Sequence, residues 1–198
     1  MSVSELSAGF TDKVLSAQST FRSVMEAMAR PGSVQRVAAE VGAAAGLMPA
    51  VAAIALTLCD HDTPVWLDPQ LAAKGVAEWL KFHTGAPVTA ASADASFALV
   101  TDAAALPALD SFALGSSEYP DRSTTVILQV ESLSGGRAYD LRGPGIDGVA
   151  TLNATIAPDD LLERLAVNAS LFPRGIDVVL VHGDALVAIP RTTRLAGG

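Results

Sequence analysis

At 198 residues the chain has the size of one domain, and a globule of that length buries about 70% of its unfolded surface without disulfide or metal staples. Half of its residues are hydrophobic and only 17% are charged, which excludes a disordered chain, and a mean hydropathy of +0.38 points to subunit interfaces. A net charge of −8 and an isoelectric point near 4.7 exclude nonspecific attraction to nucleic acid or acidic membranes, whose phosphates such a field repels.

Met1 to Phe10 carry neither a basic region nor an apolar core, so secretion is not expected and the cytoplasm is the default. Val14, Ala17, Phe21, Val24, Met25 and Met28 then recur at three- and four-residue steps and predict an amphipathic helix with that stripe in the core. Thr11 or Asp12 caps its start, and Arg30-Pro31-Gly32 ends it. Arg22, Glu26 and Arg30 stand four residues apart on its polar side, a solvated ion-pair ladder. Residues 47–58 are apolar nearly all round and predict a second, buried helix. The longer run 43–59 is interrupted by Gly46 and Pro49 and falls short of the ~20 residues of a membrane span.

Residues 65–67 read as a short strand. Asp68 as N-cap before Pro69 opens a third helix, with Leu71, Val76 and Leu80 on one face, ending at Gly85 and Pro87. Residues 90–96 read as a loop and 97–100 as a strand. Strands at 124–130 and 137–141, separated by Ser134-Gly135-Gly136, predict a hairpin, and 149–152 predict another strand. Pro158-Asp159-Asp160 starts a last long helix that runs to about Phe172. A closing hairpin pairs 177–181 with 185–189 around His182-Gly183-Asp184. The expected fold is α/β: a single domain over residues 1–198, with a mixed sheet and hairpins flanked by helices.

Recognised catalytic signatures are missing. Gly143, Gly145 and Gly148 satisfy G-x-G-x-x-G, but Pro144 removes an amide and Val149-Ala150-Thr151-Leu152 reads as strand. No helix N-terminus is therefore offered to a pyrophosphate. There is no P-loop and no G-x-S-x-G elbow. Cys59-Asp60-His61-Asp62 holds ligating residue types, but His83 and His182 stand alone and no second cluster completes a site, so no metal is expected. Cys59 is the only cysteine, which excludes an intrachain disulfide, and the nearby aspartates raise its pKa rather than activate it. The catalytic residues, if any, stay unassigned.

Arginine beside glycine and proline does stand out. Arg30-Pro31-Gly32, Arg142-Gly143-Pro144-Gly145 and Pro173-Arg174-Gly175 are three such corners. Pro190-Arg191-Thr192-Thr193-Arg194 is a basic, hydroxyl-rich tail, so these segments hold five of the ten arginines. Glycine lets backbone approach a ligand or partner, and guanidinium forks suit phosphates and carboxylates. Arg30, Arg142, Gly143, Gly145, Arg174, Arg191 and Arg194 are accordingly candidates for anion binding or a subunit interface. Capping of carbonyls and pairing with a local acid is the structural alternative.

In order, Phe21-Arg22 with Ala27-Met28-Ala29-Arg30-Pro31-Gly32, Leu141-Arg142-Gly143-Pro144-Gly145-Ile146, Phe172-Pro173-Arg174-Gly175-Ile176-Asp177 and Ile189-Pro190-Arg191-Thr192-Thr193-Arg194 form a series. That series resembles the PhnH family, the H subunits of the carbon–phosphorus lyase core complex. The resemblance covers nearly the whole chain and is thinnest over 85–122. It implies a cytoplasmic homodimer that joins the G, I and J subunits. The assembly would transfer the ribose 5-triphosphate group of ATP to an alkylphosphonate with release of adenine. It also implies a fold like the large domain of pyridoxal-phosphate-dependent transferases, without that cofactor. The residues bear on the cofactor directly. A Schiff base needs a lysine, yet Lys13, Lys74 and Lys81 each fall on an expected helix and none follows Lys81, so no cofactor is expected. The leading reading is thus a non-catalytic or site-completing transferase subunit. The alternative is a free-standing enzyme acting on a phosphorylated small molecule through its Arg/Gly loops.

Overall fold

The Asp12 carboxylate starts the first helix. Its Oδ1 accepts from Val14 N at 3.1 Å and Leu15 N at 3.0 Å, two amides with no acceptor inside the helix. Helix α1 (Lys13–Ala29) then runs to the Arg30-Pro31-Gly32 corner. The computed structural model describes residues 9–38, 40–101, 103–156 and 160–197.

The buried face of α1 differs from the expected stripe. Thr20, Val24 and Ala27 are buried, whereas Val14, Phe21 and Met25 are 66%, 50% and 51% exposed. Small side chains at i, i+4 and i+7 let α1 settle closely on the alanine-rich helix α2 (Pro49–Leu58), which turns the bulkier residues outward. Helix α2 is buried over Ala50–Ala55 and begins two residues later than expected, because Pro49 suits the first helical position.

Strand β2 (Val65–Leu67) follows, and Asp68 caps helix α3 (Pro69–Ala72) as anticipated. The expected single helix to Gly85 is broken. Gly75, at φ 77°, turns the chain, and helix α4 (Val76–Thr84) starts afresh. Lys74 therefore lies on a turn rather than on a helix.

Strands β1 (Gln35–Arg36), β3 (Val88–Thr89), β4 (Phe97–Val100), β5 (Thr125–Gln129), β8 (Asp177–His182) and β9 (Ala185–Ile189) join β2 in a seven-stranded sheet of order β1-β9-β8-β5-β4-β2-β3. Neighbours from β3 to β8 are parallel, and β9 runs antiparallel to both β8 and β1. The closing β8–β9 hairpin is as expected. The hairpin expected between 124–130 and 137–141 does not form. Strand β6 (Ser132–Arg142) leaves the large sheet and pairs instead with β7 (Ala150–Thr155) and β10 (Arg194–Gly197) in a separate three-stranded sheet. Ser134-Gly135-Gly136 lies inside β6, where the β6–β7 register shifts between Ser132 and Arg137. The strand after Gly148 is β7, as its sequence implied.

The last helix, α5 (Leu161–Ser170), stops before Phe172; Pro158 and Asp159, named for its start, lie outside the described residues. Two hydrophobic clusters cover the two faces of the large sheet. On one, α1, α2 and α4 pack over Leu67, Leu99, Ile127 and Val179. On the other, the 3-10 turns of 103–111, α5 and the small sheet pack over Ala98, Val100, Val126 and Val178. The architecture is an α/β mixed sheet flanked by helices.

Candidate functional site

The four arginine segments, scattered over 165 positions of sequence, are drawn to one side of the molecule by the loop after β9. Thr193 N donates to Pro190 O at 2.8 Å and closes that loop into a turn. The 29–32 corner meets β9 through Gly32 N, which donates to Ala188 O at 3.3 Å. The 142–145 corner packs between the two. At Gly145, φ 82°, a Cβ would overlap the Ala29 carbonyl oxygen. At Gly143 it would stand 2.9 Å from the Thr192 carbonyl oxygen. These glycines therefore serve close backbone approach between corners of the same chain.

Arg191 holds the hub together from within. Its side chain is 13% exposed and its Nη2 lies 2.5 Å from Asp177 Oδ2. Arg191 Nε and backbone N donate to Asp177 Oδ1 at 3.1 and 2.8 Å. Nη1 donates to Pro120 O at 2.7 Å and Pro173 O at 3.5 Å, and Nη2 also reaches Ser123 Oγ at 2.5 Å. The guanidinium is saturated by these groups, so its chemistry is that of a clamp on the 173–175 corner.

Arg142 and Arg194 behave differently. They are direct register partners across β6 and β10, both are exposed, and neither side chain has an ion-pair or hydrogen-bond partner among the described residues. Two cations facing each other across a ladder repel, by roughly 0.2–1 kcal/mol in such pairs. Both can therefore turn toward an anion from outside. Arg194 also borders a groove of about 300 Å³ walled by Ala166, Ala169 and Ser170 of α5. Arg30, at the adjoining corner, spends its charge on Glu26 at 2.8 Å, and Arg22 takes no part in that pair. Arg174 is exposed beside the cis Phe172-Pro173 bond, next to a cleft of about 320 Å³ that includes Asp121, Pro190 and Thr192.

Cys59 is buried at the end of α2, and burial, followed by the charge of Asp60, pushes its thiol up to about 12. His61 and Asp62 are exposed and contact each other at 3.3 Å, and no group of three metal-ligating side chains occurs among the described residues. Sequence reasoning did not assign Asp177 its part, although it closes the Phe172–Asp177 segment. Nor did it single out Thr101, directly after β4, and Gln129, the last residue of β5, each a polar residue after an apolar run.

Comparison with known proteins places these features in context. Residues 8–196 match the family described as "Bacterial phosphonate metabolism protein (PhnH)". The alpha-D-ribose 1-methylphosphonate 5-triphosphate synthase subunit PhnH of Rhizobium meliloti (strain 1021) is 48% identical over 189 residues, 96% of this chain and 94% of that protein. The putative C-P lyase subunit protein HtxG of Stutzerimonas stutzeri is 37% identical over 83 residues, covering 41% of this chain and 42% of its own length.

Proposed function

The chain belongs to the PhnH family of bacterial phosphonate metabolism proteins, and we propose that it works as a subunit of a ribose 1-methylphosphonate 5-triphosphate synthase in the carbon–phosphorus lyase pathway. In this reading the assembly transfers the ribose 5-triphosphate group of ATP to an alkylphosphonate and releases adenine. The chain completes the assembly as a cytoplasmic homodimer with G, I and J subunits, and has no turnover alone. One domain spans 1–198, with a fold like the large domain of pyridoxal-phosphate-dependent transferases. The supporting features are one seven-stranded sheet with a single reversed strand, β9, beside its margin, and helices on both faces. No helix among the described residues is long and apolar enough to cross a membrane.

The observation that carries the site is the unmatched Arg142–Arg194 pair. A triphosphate, a phosphonate or an acidic face of a partner subunit each supplies the anion that this pair lacks, and guanidinium forks bind such groups bidentately. The test is reconstitution. The chain purified alone should show a mass near twice 20.3 kDa by light scattering and no consumption of ATP with methylphosphonate. With partner subunits added, adenine should be released. Turnover by the isolated chain would overturn the subunit reading, and a monomer would overturn the dimer.

A further inference from the structure

Strands β2 and β4 are parallel neighbours, and the chain leaves their carboxyl ends toward opposite faces of the sheet. From β2 it passes through α3 and α4, over the face of Leu67 and Leu99. From β4 it passes through the 3-10 turns of 103–111, over the face of Ala98 and Val100. Beside this switch point, beyond the carboxyl ends of β4 and its parallel neighbour β5, a crevice opens. It has a volume of about 320 Å³ and is lined by Met48, Thr101, Ala103, Ala104, Gln129 and Glu131, among others. It lies on strands other than those of the arginine edge.

We propose that this crevice binds a small organic amine, its ammonium or amino group directed at Thr101 and Glu131 and its apolar body against the alanines. The hydrogen-bond inventory selects that chemistry. Asp68 is fully buried, and its Oδ2 accepts from Thr101 N at 2.6 Å and Thr101 Oγ1 at 2.5 Å, while its Oδ1 accepts from Leu71 N at 2.8 Å. The Thr101 hydroxyl therefore spends its one donor hydrogen bond on Asp68, and only its lone pairs remain to be offered. Gln129 is held in place too: its Oε1 accepts from Met48 N at 2.6 Å and one hydrogen of its Nε2 goes to Gly46 O at 3.1 Å. Glu131 is exposed at the rim with no partner among the described residues.

What the crevice presents is thus a hydroxyl oxygen polarised by a buried carboxylate, a carboxylate with no partner among the described residues, methyl groups and a single amide hydrogen of Gln129, with no lysine or arginine among its lining residues. A phosphate or carboxylate would face acceptors and like charge, whereas an amine supplies the missing donors. Its volume falls at the small end of ligand pockets, which run from about 300 Å³ upward.

The test uses the full chain without partner subunits, so its outcome is separate from that of the synthase reading. Amide NMR is followed during titration with benzylamine, with benzyl alcohol and inorganic phosphate as comparisons. Benzylamine should give saturable shifts at Thr101, Ala104 and Glu131, with a dissociation constant of about 1 mM or tighter. Glu131→Gln, at an exposed position, should weaken binding at least about threefold, roughly the loss of one exposed charge contact. Ala104→Phe should fill the crevice and abolish the shifts, with an unchanged circular dichroism spectrum showing that the chain is folded. Shifts that do not saturate, that benzyl alcohol or phosphate reproduces, or that survive both substitutions would overturn the proposal.

Discussion

Arg191 and Asp177 form a largely buried ion pair, 13% and 15% exposed, that ties the loop after β9 to the first residue of β8. Breaking one half strands the other with its charge uncompensated. Arg191→Ala and Asp177→Asn should each lower stability by about 2–4 kcal/mol, toward the range seen when one partner of a buried pair is removed. Arg191→Lys should recover little, because an ammonium cannot span Asp177, Ser123 and the Pro120 carbonyl together. Chemical denaturation of the three variants, compared by midpoint at constant slope, checks this.

Arg142 and Arg194 predict the opposite pattern. Arg142→Ala removes a like-charge neighbour and should leave the thermal midpoint unchanged or slightly raised. It should nevertheless weaken assembly or complex turnover at least tenfold, about 1.4 kcal/mol, within the reach of one charge-assisted contact. Arg142→Glu should go further, stabilising the small sheet through a new pair with Arg194 while suppressing assembly. Pull-down with partner subunits beside a melting curve separates the two effects. An Arg142→Ala protein that assembles and turns over normally would reduce the corner to a structural turn.

Gly145 is packed against the 29–31 corner. A Cβ there would strike the Ala29 carbonyl oxygen and approach Pro31 at 3.1 Å, on top of a left-handed φ of 82°. Gly145→Ala should cost about 2–5 kcal/mol, combining conformational strain with overpacking. Gly148→Ala is the comparison: φ is 71°, but a Cβ would meet nothing within 4 Å, so only about 1–2 kcal/mol of strain applies. The difference between the two, read from denaturation midpoints, measures the contact between corners.

Cys59 should be inert in the folded protein. With its thiol pushed up to about 12, only roughly one molecule in ten thousand carries the thiolate at pH 8, and labelling by a disulfide reagent should require unfolding. The sign for stability follows from burial favouring the neutral thiol. That contribution is whole below the ordinary value of 9.0 and is lost as pH rises from there toward 12. Cys59→Ala should flatten this part of the stability profile. A reactive native thiol at pH 8 would contradict the burial.

Much of the core was legible because local chemistry agreed with tertiary packing. The Asp12 cap, the Asp68-Pro69 start, the apolar triplet of β2 and the β8–β9 hairpin all needed only neighbours in sequence. What escaped depended on distant partners. Two-residue strands such as β1 and β3 carry no periodicity, and they exist because β9 and β2 supply the other half of each ladder. The Gly135-Gly136 pair looked like a turn but sits within a strand, since β7 offers a bulged ladder there. On α1 the bulky residues misled, because closeness to α2 favoured the smaller ones. Glycine and proline marked the backbone corners, but no local signal separates Arg191, whose acid lies fourteen residues upstream, from Arg194, which has none among the described residues.

The two margins of the large sheet, β1 and β3, are each two residues long, and Arg36 on β1 is anchored to Asp184 at 2.6 Å. So little free backbone cannot template another chain, and a charged residue at the border resists it further. Neighbouring proteins are thereby denied strand-by-strand extension of this sheet, and fibril growth from it is blocked by the same economy. Recognition at the large sheet falls to side chains and loops, where a single substitution can alter a partner's choice without disturbing a ladder.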